Sequence, residues 1–305
     1  MVQYLFISVL TCLCVIFAVA FFTMVERKVL SYVQTRKGPN KPGFAGIVLP
    51  LADALKLFFK EKVMPYGSNQ YIFLFAPFLS LVLGFVLWHL YPMNFTYSHV
   101  CWGVLLFFCV TALNVYGTML AGWASNSKYA FLGALRAAAQ TISYEVSMLL
   151  LLLFAAFLLF TCSWEEAVQN SFPVVVLLAP MALVWFTSTV AETNRAPFDF
   201  AEGESELVSG FNVEFSGGLF AMIFLAEYAT ILFMSMATSV WFFSSSVLNP
   251  LSLSLEILVM AIMFLLIRGA YPRFRYDLLM MLCWKSFLPF SLCGLCLVLL
   301  TGLHF

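Results

Sequence analysis

Residues 2–25 form an unbroken run without one charged side chain, and stretches of the same character recur along the chain. That recurrence constrains the fold more than any motif does. In hydrocarbon the backbone N–H and C=O groups must be satisfied within the protein, which a helix achieves inside its own segment. A run of about 20 apolar residues is the length of a membrane-spanning helix. Composition agrees: 63% of the residues are hydrophobic, 10% are charged, and the mean hydropathy is +0.98. An ordinary soluble domain carries about 25% charged residues. The expected fold is all-α, a polytopic membrane protein of about eight transmembrane helices, with residues 1–305 forming a single integral membrane domain.

The candidate spans are 2–25, 71–91, 101–121, 137–160, 173–191, 218–243, 252–268 and 283–303. An even number places both termini on one side of the membrane. Loops 26–70, 122–136, 192–217 and 269–282, with the span ends at Arg268 and Lys285, hold all fifteen Lys and Arg; loops 92–100, 161–172 and 244–251 hold none. The positive-inside rule assigns the basic side to the cytoplasm, or to the matrix in a mitochondrion. The first run lacks the basic start of a cleavable signal and the arginines of an import presequence, so a retained span is expected.

Net charge is zero, which leaves no basic footprint for nucleic acid. Seven of the eight cysteines lie in or at the ends of apolar runs and read as apolar filler, including Cys293 and Cys296. His89, His99 and His304 fall at span ends, which argues against haem ligation in the membrane.

The most unusual stretch is Glu192 to Tyr228. It carries seven of the fifteen acidic residues, Glu192, Asp199, Glu202, Glu204, Glu206, Glu214 and Glu227, against one base, Arg195. Carboxylates wedged between membrane segments are costly unless wet, paired or protonated. In a helical stretch Asp199, Glu202 and Glu206 share a face, and Glu204 points elsewhere. Close carboxylates suggest a cation site, but the spacing lacks the alternating Asp/Asn series and terminal Glu of a calcium loop. No metal site is predicted. A solvated acidic loop is the plainer alternative, and the flanking Phe198, Phe200, Phe211 and Phe215 argue against it. The preferred reading is a wet, partly buried cavity whose acids relay protons towards Glu192, Glu145 and Glu227.

Glu145 and Glu227 lie inside spans. Glu145 sits eight residues past the start of 137–160, about 12 Å deep at ~1.5 Å per residue. An acid at that depth costs roughly 2.5–3.5 kcal/mol even on the lenient insertion scale. Glu227 lies at matching depth in 218–243. If the two helices are neighbours, the carboxyls face each other and cannot both be ionised cheaply, which is the chemistry of a proton-holding pair. Beside Glu145, the stripe Gln140, Ser143, Tyr144 and Ser147 reads as a helix–helix hydrogen-bonding seam.

Loop 26–70 has eight basic and three acidic residues. Its Arg36–Lys41 segment reads as an ordered turn. Pro50 then suits the start of a short helix, with Leu51, Leu55, Phe58 and Phe59 on one face and Asp53, Lys56 and Lys60 on the other. That is an interfacial amphipathic helix lying on membrane lipid. The loop from Arg268 to Asp277, with Arg273 and Arg275, lies on the same side as the acidic stretch and is expected to pair with it.

These segments carry a resemblance. Glu26-Arg-Lys-Val29, Arg36-Lys-Gly-Pro-Asn40, Asp53-Ala-Leu-Lys56-Leu-Phe58, Ala121-Gly-Trp-Ala-Ser-Asn126 and Leu135 to Val146 contribute its first half. Ala191 to Asp199, Ala201 to Leu207, Ala226-Glu-Tyr228 and Tyr271 to Asp277 contribute the second. Together they resemble the NADH dehydrogenase subunit 1 family, the membrane subunit of respiratory complex I at its junction with the peripheral arm, over residues 15–295. The resemblance implies an eight-helix fold forming much of the chamber in which ubiquinone is reduced. It implies that Arg36, Asp53, Lys56 and Phe224 line or gate the quinone passage. Arg195, Asp199, Glu202, Glu204 and Arg275 would surround its inner charged end. Glu145, Glu192, Glu206 and Glu227 would begin an acidic path into the membrane arm.

Ubiquinone is then the substrate, and NADH, FMN and iron–sulfur clusters belong to partner subunits. The partners are the iron–sulfur and quinone-site subunits of the peripheral arm and neighbouring membrane-arm subunits. Compact length, an absent targeting peptide and a composition with 34 Phe and 14 Met suggest a mitochondrial inner-membrane protein with both termini on the intermembrane-space side; a bacterial plasma-membrane relative is the alternative. Two rival readings use the same acids: the membrane anchor of an energy-converting hydrogenase, and a stand-alone proton-coupled transporter. The latter predicts inverted repeats, and no internal repeat is visible.

Overall fold

The computed structural model describes residues 2–92, 100–169, 173–200, 203, 210–243 and 250–302. Among these residues the secondary structure is helical throughout. The longer elements are α1 (Val2–Val33), α2 (Leu49–Phe59), α3 (Gln70–Leu87), α4 (Gly103–Ala124), α5 (Lys128–Leu159), α6 (Ala179–Glu192), α7 (Gly218–Thr238), α8 (Pro250–Ala270), α9 (Tyr276–Leu282) and α10 (Leu288–Gly302). π-helical turns extend α7 through Ser239–Phe243 and join α9 to α10 through Cys283–Phe287.

Seven helical stretches are long and apolar enough to cross a membrane. They correspond to seven of the eight expected spans. The stretch 173–191 is different: a short turn, Val174–Leu177, is followed by the 14-residue α6. Leu178, at φ −144° and ψ 72°, breaks the helix between them. Pro180 explains the restart, because proline fits the first turn of a helix and cannot sit in its middle. Other boundaries also move. The first helix continues through Glu26, Arg27 and Lys28 to Val33, and α5 begins nine residues before its expected span. Helices need not stop where the hydrocarbon does, because charged side chains are good helix formers in water.

Two helices organise the bundle. α7 packs against α3, α8 and α1, while α5 packs against α4, α6 and α10. Both are apolar nearly all round, as buried helices must be. The outer helices α1 and α8 instead expose apolar side chains such as Phe6, Phe17, Leu255 and Leu258. A soluble protein would hide that surface; here it suits lipid or another membrane subunit. The α4–α5 approach is close: a Cβ added at Gly122 would stand 2.2 Å from the Cβ of Ala134. At the end of the bundle that carries the Lys and Arg, called here the basic end, Phe73 stacks on Phe215 with ring centres 4.2 Å apart.

The amphipathic α2 forms as expected. Pro50 lies in its first turn, and Leu51, Leu55, Phe58 and Phe59 are all exposed. It packs beside α1 and α7 at the basic end.

Candidate functional site at the basic end

The buried polar seam of α5 holds the site's frame. Gln140, Tyr144 and Ser147 are fully buried. Gln140 Nε2 donates to the carbonyls of Ala191 and Phe198, at 2.8 and 2.9 Å. Tyr144 Oη donates to the carbonyl of Leu279 at 3.2 Å. The first residues of the acidic stretch are thus fixed by a side chain already inside the bundle. Asn194 adopts a left-handed φ of 49° at the turn that leaves α6, a conformation asparagine tolerates better than most residues.

The expected pairing of the acidic stretch with loop 268–277 occurs. Arg273 Nη2 lies 3.3 Å from Asp199 Oδ2. The backbone N–H of Phe274 donates to the carbonyl of Pro197 at 3.1 Å. Rings reinforce the junction, Phe198 against Phe274 and Phe200 against Tyr276. Arg273 makes this ion pair, and Arg275 is exposed nearby in sequence.

Deeper in, Glu26 gathers groups from three other segments. Its Oε1 accepts from Arg268 Nη1 and, at 3.4 Å, from Arg195 Nη1. Its Oε2 accepts from the Tyr228 hydroxyl. The Arg195 guanidinium lies over the Tyr228 ring, 4.3 Å from its centre. Phe224 stacks on Tyr228, with ring centres 6.1 Å apart. The sequence reading recognised Arg195 and Phe224 but not Glu26, Arg268 or Tyr228 as members of one assembly. An acid at the inner end of the first span was the available signal for Glu26.

The remaining passage candidates lie further out. Asp53 pairs with Arg27 at 2.7 Å on the half-exposed face between α1 and α2. Arg36 and Lys56 are exposed at the basic end.

A cavity of about 50 Å³ adjoins this assembly, with Ser80, Asn114, Thr118, Glu192, Asn194 and Glu227 in its wall. That is room for a few water molecules. Glu192 Oε2 and Asn194 Oδ1 are buried with no hydrogen-bond partner among the described residues. Glu145 lies within Coulombic range of Glu192, and the Thr111 hydroxyl of α4 is within hydrogen-bonding reach of Glu145. Glu192 and Glu227 share the wall of this cavity, and the helices of Glu145 and Glu227 pack chiefly against other partners. Glu202, Glu204 and Glu206 lie outside the described residues. Among the described residues no cluster of His, Cys, Asp and Glu is suited to a metal ion.

The fold and this site define a polytopic membrane subunit that brings a charged, aromatic-lined assembly against an acidic cavity. The family model described as NADH dehydrogenase matches residues 6–299, and the chain belongs to that family. The NADH-ubiquinone oxidoreductase chain 1 of Aedes aegypti is 53% identical over 287 residues, covering 93% of this chain and 91% of that one. The proteins of the same name from Heterololigo bleekeri and Branchiostoma lanceolatum are 52% and 49% identical, covering 92% and 91% of this chain and 92% and 89% of theirs.

Proposed function

We propose that this chain is a core membrane subunit of the proton-translocating NADH:ubiquinone oxidoreductase, respiratory complex I. It forms much of the chamber in which ubiquinone is reduced and couples that reduction to proton movement. The relatives carry the name of that enzyme's chain 1 at about half identity over nine-tenths of their length. The hydrogenase-anchor and stand-alone-transporter readings find no such support. The whole chain is read as one integral membrane domain of the mitochondrial inner membrane, with both termini on the intermembrane-space side.

The observation that carries the mechanism is the position of Arg195. It touches Glu26 and Tyr228, and Glu227 of the acidic cavity lies within its Coulombic range. Asp53 and Lys56 on α2, with Arg36 and Phe224, line the way in for ubiquinone. Arg195, Asp199, Glu202, Glu204 and Arg275 surround its charged inner end. Electrons arrive from iron–sulfur clusters of a partner subunit, and NADH and FMN are bound by partners as well. Reduction of the quinone takes up protons, and the nearby carboxyls feel the change in charge. Glu206, Glu192, Glu145 and Glu227 pass that change into the membrane as altered protonation. Water in the cavity links Glu192 and Glu227, because no direct carboxyl contact is needed when acceptors share a bridging donor.

The test is Glu145→Gln or Glu227→Gln in a genetically tractable relative, with quinone reduction and proton pumping measured together. Reduction that continues while pumping falls supports the path. Full coupling in both variants sinks it. A native gel of the source membranes adds an independent check, since the chain should migrate in a large assembly with NADH-oxidising activity.

A further inference from the structure

Glu26 is only 5% exposed. A carboxylate taken out of water loses several kcal/mol of solvation unless partners replace it. Here two guanidinium groups and a phenol do so, from Arg268 on α8, Arg195 beyond α6 and Tyr228 on α7. The Arg195 contact differs from the others. At 3.4 Å it is longer than a well-formed charge-assisted bond of roughly 2.7–2.9 Å. Its second terminal nitrogen, Nη2, is buried without a hydrogen-bond partner among the described residues. Arg195 is therefore held by charge on one side and by the Tyr228 ring beneath it, with one donor left over. Among the described residues, Glu227, one residue before Tyr228, is also within its electrostatic range.

We propose that Glu26 is a positioning residue for the coupled reaction. Anchored by Arg268, it holds the Arg195 guanidinium on the Tyr228 ring, so that one cation serves both the Phe224–Tyr228 pair and the neighbouring Glu227. Glu26 acts through Arg195 and does not itself touch substrate. This inference rests on the reading of Phe224 as part of the quinone passage and Glu227 as part of the proton path. Without the charge on Glu26, Arg195 loses its carboxylate anchor and its charge is drawn towards Glu227. Proton exchange through Glu227 then slows, although the quinone chamber is still present.

The experiment compares Glu26→Gln, Glu26→Asp and Glu227→Gln in the assembled complex of a genetically tractable relative. Turnover per assembled complex, KM for a short-tailed ubiquinone analogue and protons moved per two electrons are all read. Glu26→Gln is expected to lower kcat by roughly tenfold, about 1.4 kcal/mol, and to lower the proton yield. KM should stay within about twofold, since the cation remains but is misplaced. Glu26→Asp restores most of the proton yield because the charge returns. A purely structural role reduces only the amount of assembled complex; wild-type kcat, KM and proton yield per complex in Glu26→Gln overturn the proposal. If Glu26→Gln does not assemble, Tyr228→Phe decides, because it keeps the ring under Arg195 and removes the hydroxyl that bonds Glu26 and lies beside Arg195. A lowered proton yield in Tyr228→Phe supports the proposal, and a wild-type yield overturns it. Uncoupling in Glu227→Gln with a wild-type Glu26→Gln defeats the positioning role alone. Full coupling in Glu227→Gln defeats the proton path on which it rests.

Discussion

Gln140 Nε2 donates to the carbonyl of Ala191 across 2.8 Å, which joins the middle of the bundle to the last turn of α6. The same nitrogen reaches the carbonyl of Phe198, so one amide spans the turn that carries Glu192, Asn194 and Arg195. Gln140→Leu removes two buried hydrogen bonds, each contributing about 0.5–1.5 kcal/mol, while both carbonyls keep a backbone donor, from Asn194 and Phe200. The expected result is a lower melting temperature of the solubilised complex and a reduced band on a native gel. Unchanged assembly and turnover would show that the turn holds itself.

Arg273 and Asp199 form a partly buried pair, with their side chains 29% and 12% exposed. Each has further interactions. A double-mutant cycle of Arg273→Ala and Asp199→Asn should give a coupling energy on the order of 1 kcal/mol in stability. Arg275→Ala should give none with Asp199. Equal coupling for both arginines would contradict the observed geometry.

Asp53 and Arg27 are a contrasting case, because their side chains are 44% and 50% exposed. An exposed pair of this kind contributes roughly 0–1 kcal/mol. Arg27→Ala is therefore expected to leave the melting temperature nearly unchanged. Asp53→Asn should still raise KM for a ubiquinone analogue if Asp53 lines the passage. Saturation kinetics on membranes separate the two effects.

Two glycines test the packing. Gly122→Ala places its methyl 2.2 Å from Ala134 Cβ and 3.0 Å from the carbonyl oxygen of Ala130, so α4 and α5 must move apart. Overpacking of that kind costs about 1–3 kcal/mol. Gly218→Ala meets nothing within 4 Å. Pulse-chase assembly should fall for the first and hold for the second.

Much of the fold was legible because the constraint behind it is local. A segment in hydrocarbon must satisfy its own backbone, so length and apolarity alone mark seven helices. Pro50 likewise marked the start of α2, and the alternation of Phe and Lys beyond it marked its two faces. The break at Leu178 had its signal in Pro173 and Pro180, but apolar length outweighed it. The helix ends at Val33 and Lys128 were misjudged because hydrophobicity reports where the membrane stops, while the helix continues into water.

The site was legible in its members and not in its connections. Glu145, Glu192 and Glu227 stood out because isolated acids in apolar sequence are expensive. Residue type and depth could not say that Glu192, Glu227 and Asn114 share one cavity. Nor could they choose Arg273 over Arg275 for Asp199. The sequence by itself determined that this chain is a bundle of membrane helices with its bases at one end and costly acids among them. It did so through the free energy of moving each segment from water to hydrocarbon, which depends on that segment alone. Only the tertiary structure decided that Glu26 of the first helix would meet Arg195, Tyr228 and Arg268. Charge pairing in a buried site depends on the distance and direction between groups far apart in the chain, and packing sets both.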